Sequence, residues 1–291
     1  MPQNLKSSSA LALASLVGVT AVWGATFIVV QNAISRMPVM DFLAVRFTLA
    51  AIVMFLIKPK CLRGINRLEL RRGLVVGILL GASYIFQTFG LKYTSAAVSG
   101  FITGMSVVLT PIVAWIFLRH KTNFNTWIAV SLAFVGIALL SLKGWQFGFG
   151  ELLTLGCAVF VALHIIALGE WSSQQNIYPF TLIQIATVSV ICLAAAAPEG
   201  IALPPDGKVW GAIGLTAILA TAVAFLVQVW AQTLVSPTRA AVVLTMEPVF
   251  AGLFAVLIGN EQLTIRIITG AVLILSAMFI IQLRPKLWFK H

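Results

Sequence analysis

Three ionisable side chains stand inside long apolar stretches, and they define the chemistry to be explained. Glu247 lies near the middle of an apolar run, Arg46 about six residues into another, and His164 within a third. Holding a carboxylate or guanidinium in an apolar medium costs roughly 2.5–3.5 kcal/mol or more, so each should face a bundle interior and find a partner. Glu247 can bind a substrate ammonium, carry a coupling proton, cap a freed backbone amide or pair with an arginine. Arg46 can bridge to Glu247 or extend its head towards a polar boundary. His164 can be a neutral histidine bonded to a neighbouring helix, a substrate contact or a proton relay.

The neutral polar residues follow patterns of their own. Gln87 and Gln228 occupy matching points of the two halves of the chain, with Tyr84 and Phe225 a turn earlier. Each pair suits either a cavity wall or hydrogen bonding between helices, worth around 0.6 kcal/mol. Ser99, Thr103, Ser106 and Thr110 recur at helical spacing, and either line a path or bond their own carbonyls. Gly73–Gly77–Gly81, Gly100–Gly104 and Ala10–Ala14–Gly18 read as close-packing faces. Three histidines without helpful carboxylates give no metal site, and no cofactor is expected. H-E-x-x-H, G-x-S-x-G and G-x-x-x-x-G-K-[ST] are all missing from the sequence, so no catalytic residues are assigned and no nucleotide hydrolysis is expected.

The elements that must position these residues follow from composition. The 291 residues are 60% apolar and only 9% charged, against about a quarter charged in a soluble domain. A hydrocarbon core of roughly 30 Å takes about 20 apolar residues per helix. The pattern predicts an all-α integral membrane protein with ten transmembrane helices, at roughly 10–33, 39–57, 72–91, 96–118, 125–142, 150–170, 179–197, 209–231, 238–259 and 265–283. The expected partners are membrane lipid and a small-molecule substrate. A monomer is sufficient for the task expected of it. The net charge of +11 is not a nucleic-acid signature, because no polar domain or aromatic platform accompanies it. Instead Lys58, Lys60, Arg63, Arg67, Arg71 and Arg72 crowd one connection, which the positive-inside rule places in the cytoplasm. Both termini then lie inside, with 13 Lys/Arg inside against five outside.

Shifting the chain against itself by 141 residues brings Pro38 onto Pro179, Gly73 onto Gly214, Tyr84 onto Phe225, Gln87 onto Gln228 and Ser95 onto Ser236. His164 falls on Trp23. This divides the chain into repeats at 1–145 and 146–291. Five helices per repeat is odd, so the second repeat enters the membrane inverted, an architecture that places a substrate site near the midplane. The fourth helix of each half carries a proline, Pro111 and Pro248. Each frees a carbonyl, that of Val107 or Leu244, and marks either a hinge or a static kink.

These residues resemble a known family. Trp23-Gly24-Ala25-Thr26-Phe27 is similar to its first-helix motif and Arg46-Phe47 to its second. Glu247-Pro248-Val249-Phe250, followed by Asn260-Glu261, is similar to its ninth. Together they resemble the EamA-type members of the drug/metabolite transporter superfamily, which include YddG-type exporters of aromatic amino acids. The resemblance implies a secondary transporter exporting small organic metabolites, amino acids and aromatic ones among them. It implies a multi-pass protein of the bacterial cytoplasmic membrane, not an enzyme. It also implies a cavity lined by Trp23, Tyr84, Gln87, Thr103, His164, Gln228, Trp230 and Glu247. Lys121 and Thr110 depart from the acidic residues usual at those places in the family. A passive channel or facilitator, or an importer of another metabolite, is the competing class; saturable flux with counterflow separates carrier from pore.

Overall fold

The computed structural model describes residues 3–118, 124–143, 146–171, 176–235 and 243–282. Its helices are α1 (Gln3–Ile34), α2 (Val39–Ile57), α3 (Arg67–Leu91), α4 (Ala96–Gly104), α5 (Ser106–Leu118) and α6 (Phe124–Ser141) in the first half. The second half holds α7 (Phe149–Trp171), α8 (Ile177–Ala196), α9 (Gly207–Ala217), α10 (Ala224–Leu234), α11 (Met246–Leu257) and α12 (Ile265–Gln282). A two-residue antiparallel pairing, Leu142–Lys143 with Gln146–Phe147, links the halves.

Helix occupies each of the ten stretches predicted from the sequence. Among the described residues, seven helical stretches are long and apolar enough to cross a membrane, and Trp127–Gly136, Met246–Leu257 and Ile265–Ile280 are apolar but shorter. The outward faces carry large apolar side chains such as Leu56, Phe134 and Val190, as contact with lipid requires. At the basic connection, Asn66 and Glu69 form a reciprocal capping box at the start of α3, with Glu69 N–H donating to Asn66 Oδ1 at 2.8 Å. Lys121, Arg119, Arg239 and the basic C-terminal residues lie outside the described residues.

Helices of one half pack on helices of the other in exchangeable pairs. Helix α2 meets α8, α6 meets α12, and α4 meets α11. The contact of α3 with α7 is matched by that of α1 with α9–α10, and the contact of α1 with α11 by that of α4–α5 with α7. Small residues permit these approaches. A Cβ on Gly73 would meet Ile183, one on Gly77 would meet Thr187, and one on Gly104 would meet Pro248 at 2.9 Å. Gly24 abuts the backbone of α11, where a Cβ would sit 2.7 Å from the nitrogen of Ala251. The expected Ala10–Ala14–Gly18 face is a correction. These residues are exposed, and α1 packs there through Ala12 and Leu16 against Ala231 and Val235.

The fourth helix of each half is broken, though not at its proline. Met105 interrupts the first (φ −59°, ψ −15°) and Thr245 precedes the second (φ −66°, ψ −11°), so both breaks share a tightened, 3-10-like turn. Between α9 and α10, residues Ile218–Val223 form a π-helical turn.

Candidate functional site

The site begins with four aromatic side chains at the centre of the bundle. The ring of Phe225 lies 5.4 Å from Trp23, 6.3 Å from Tyr84 and 6.2 Å from His164. Trp23 on α1 is held by its indole N–H, which donates to the carbonyl of Ala220 at 2.8 Å. That carbonyl belongs to the π-helical turn, where the widened backbone leaves oxygens outside the usual i→i−4 ladder. His164 on α7 is buried, and its Nε2 lies 3.2 Å from Gln184 Oε1 on α8.

Around these rings opens a cavity. Trp23, Arg46, Tyr84, Gln87, Thr103, His164, Gln228 and Glu247 all face it, together with Ser106, Val107 and Leu244 beside the two helix breaks. The lining thus draws on both halves of the chain. Gln87 donates from Nε2 to Thr103 Oγ1 at 3.3 Å, tying α3 to α4. Gln228 is 4% exposed, and its side-chain oxygen has no hydrogen-bond partner among the described residues. In the serine–threonine stripe, Thr103 and Ser106 face the cavity, whereas Thr110 bonds the Ser106 carbonyl at 2.7 Å. Pro111 follows on α5, and Pro248 packs against Gly104.

Two expectations are corrected. Trp230 does not join this lining; it packs beside Ala12, Leu16 and Val235. Two positions along a helix rotate a side chain by about 200°, so Trp230 and Gln228 cannot face one cavity. The Arg46–Glu247 bridge does not form either. Arg46 is 2% exposed, donates its Nε–H to Thr221 Oγ1 at 3.1 Å, and places its guanidinium 4.8 Å from the centre of the Tyr84 ring. That stacking is a cation–π arrangement, and Thr221, like Ala220, belongs to the π-helical turn that the sequence did not announce. Glu247 lies half-buried in the first turn of α11 and has no ion pair among the described residues.

The end of the bundle opposite the basic connection is bound across the halves by polar contacts. Glu261 accepts from the backbone N–H of Ala96 at 2.9 Å and of Ala97 at 3.3 Å, capping α4 from the other half. Asn260, in the left-handed region at φ 52°, turns the chain so that Glu261 can reach. Thr94 donates to Glu151 Oε1 at 2.9 Å across the halves, and within the first half Gln31 donates to the Thr94 carbonyl at 2.9 Å. Arg36 pairs with Asp206. Glu261 stood in the sequence only as part of a motif; its capping role needed the neighbouring helix.

Such a cavity between two packed halves, reached by broken helices, is the arrangement of a membrane transporter. The EamA-like transporter family model matches the chain twice, at residues 10–142 and 148–283, and the chain belongs to that family. An uncharacterized transporter of Archaeoglobus fulgidus is 34% identical over 91% of this chain and 84% of its own length. The transporters YoaV and YyaM of Bacillus subtilis are 23% and 27% identical, over 91% and 89% of this chain and 94% and 90% of theirs. A crystal structure at 18% identity superposes with a TM-score of 0.65, covering 94% of this chain and 96% of that one, and so shares the fold.

Proposed function

We propose that this transporter moves small organic metabolites, amino acids foremost and aromatic ones among them, outward across the bacterial inner membrane by alternating access. In this reading ten helices span the membrane as two inverted five-helix repeats, with both termini cytoplasmic. The carrying observation is the cavity lined from both halves and flanked by a broken helix from each, at Met105 and Thr245. Inverted repeats exchange their conformations to open a midplane site to one side and then the other. Broken helices supply the places where such an exchange is cheapest, because the regular helical pattern is already interrupted there.

Two further observations support it. The double match to one family model is what duplication leaves behind. The exchangeable helix pairs are what a two-fold relation between halves produces. The test is uptake into liposomes containing the purified protein, using labelled L-amino acids with and without a pH gradient. Saturable uptake with counterflow supports a carrier, and non-saturating flux supports a passive pore. If no amino acid moves, that substrate class is discarded.

A further inference from the structure

Among the described residues, the cavity is lined by the guanidinium of Arg46 and the carboxyl of Glu247, which form no ion pair with each other. Arg46 is met by Thr221 and the Tyr84 ring, and the salt bridge among the described residues joins Arg36 to Asp206 instead. Glu247 faces the same space without an ion pair among those residues. Gln228 adds a buried carbonyl oxygen that no donor among the described residues satisfies. A buried acceptor left unmatched is destabilising, the more so when it is charged. A carboxylate and a free carbonyl oxygen together ask for a positively charged donor. A guanidinium without a carboxylate asks for an anion, and binds a carboxylate with paired donors. The same wall carries the aromatic rings of Trp23, Tyr84 and Phe225.

We infer that the cavity is a two-pole site for a zwitterion, in which Glu247 and the Gln228 oxygen receive an ammonium and Arg46 receives a carboxylate. The rest of the ligand lies against Trp23, Tyr84 and Phe225. This rests on the transporter reading and adds which residues select the substrate and by which group. It also accounts for the missing bridge: Thr221 and the Tyr84 ring hold Arg46, which leaves Glu247 to a ligand.

The test measures binding to the detergent-solubilised full-length protein by the rise in melting temperature. The probes are the L-amino acids, each beside its decarboxylated amine and its deaminated acid; L-phenylalanine, phenethylamine and 3-phenylpropanoate form one such trio. At least one amino acid should bind, with both of its single-pole analogues at least tenfold weaker. Glu247→Gln should weaken that amino acid at least tenfold while leaving its deaminated acid within twofold. Arg46→Lys should weaken the amino acid and leave the amine. Because the Arg46 variant can fail to fold, the Glu247 comparison decides alone. A deaminated acid that binds the wild-type protein as well as its amino acid overturns the proposal. So does Glu247→Gln with unaltered amino-acid affinity, including the case where only gradient-driven uptake is lost and the carboxylate carries a proton. Absence of binding by every amino acid also overturns it, while counterflow of any other metabolite keeps the transporter reading. Binding without saturable counterflow removes the transporter reading and leaves the two poles.

Discussion

The hydroxyls of Thr48 and Ser189 lie 2.6 Å apart, and 141 positions separate the two residues, the same shift that aligns the halves of the chain. Tyr84 and Phe225, also 141 apart, meet edge to face at 6.3 Å. A residue touches its own counterpart only beside the axis that relates them. Such a contact maps onto itself when the halves exchange conformations, so it should persist throughout a transport cycle. With the native cysteines replaced, Thr48→Cys combined with Ser189→Cys should cross-link in high yield under mild oxidation. The cross-linked protein should keep most of its transport. Loss of transport on cross-linking, reversed by reduction, would mean that α2 and α8 part during the cycle.

Gly24 explains why a glycine follows Trp23. A Cβ there would lie 2.5 Å from the Cβ of Phe250 and 2.7 Å from the nitrogen of Ala251, and both belong to the backbone-near part of α11, which cannot swing aside. Gly24→Ala should therefore separate α1 from α11 and cost about 1–3 kcal/mol. Thermal unfolding followed by fluorescence, together with the yield of folded protein, measures this. An unchanged melting temperature would mean that α1 has more room than the packing indicates.

Glu261 should behave as a helix cap supplied from the other half. Glu261→Ala removes both acceptors from the start of α4 and should cost about 0.5–2 kcal/mol, with loss of favourable charge at the helix N-terminus. Asn260→Gly should be tolerated, since glycine adopts its positive φ freely. Asn260→Val should cost about 1–2 kcal/mol and displace the cap. Melting temperatures of the three variants, ranked in that sense, check the assignment.

Asp206 gives a pH signature. The backbone N–H of Val209 foremost, with that of Lys208 and the Arg36 guanidinium, holds its carboxyl below the ordinary value of 3.8 against the opposing effect of desolvation. A depressed folded-state value means that the charged form stabilises the fold above the ordinary value, and that this is lost as pH falls through the lowered one. The melting temperature should drop as pH falls below about 4, and Asp206→Asn should flatten that part of the profile. An identical acid limb in the variant would remove Asp206 from the account.

Much of this organisation is legible in the sequence because apolar length and polar interruption are written residue by residue. The helices follow from apolar length, Arg46, His164 and Glu247 stand out by polarity within it, and Tyr84, Gln87, Phe225 and Gln228 are paired by the 141-residue register. What was not legible depends on rotation and on neighbours. The π-helical turn at Ile218–Val223 has no glycine or proline to announce it, yet it supplies both the Ala220 carbonyl for Trp23 and the Thr221 hydroxyl for Arg46. Without it, Glu247 looked like the natural partner of Arg46. The breaks at Met105 and Thr245 precede the prolines that suggested them, because a proline weakens bonds upstream while packing selects where the helix yields. Trp230 followed Gln228 too closely in sequence to share its face.

The most direct test of alternating access uses one cysteine at Gln87, on the cavity wall, in a protein with its native cysteines replaced. Oriented proteoliposomes are treated with a membrane-impermeant thiol reagent from one side at a time. The account predicts modification from either side, each slowed when an inhibitor or cross-link locks the opposite opening, with no leak of the reagent across the membrane. Modification from one side alone under every condition, or free passage of the reagent through the protein, would contradict it.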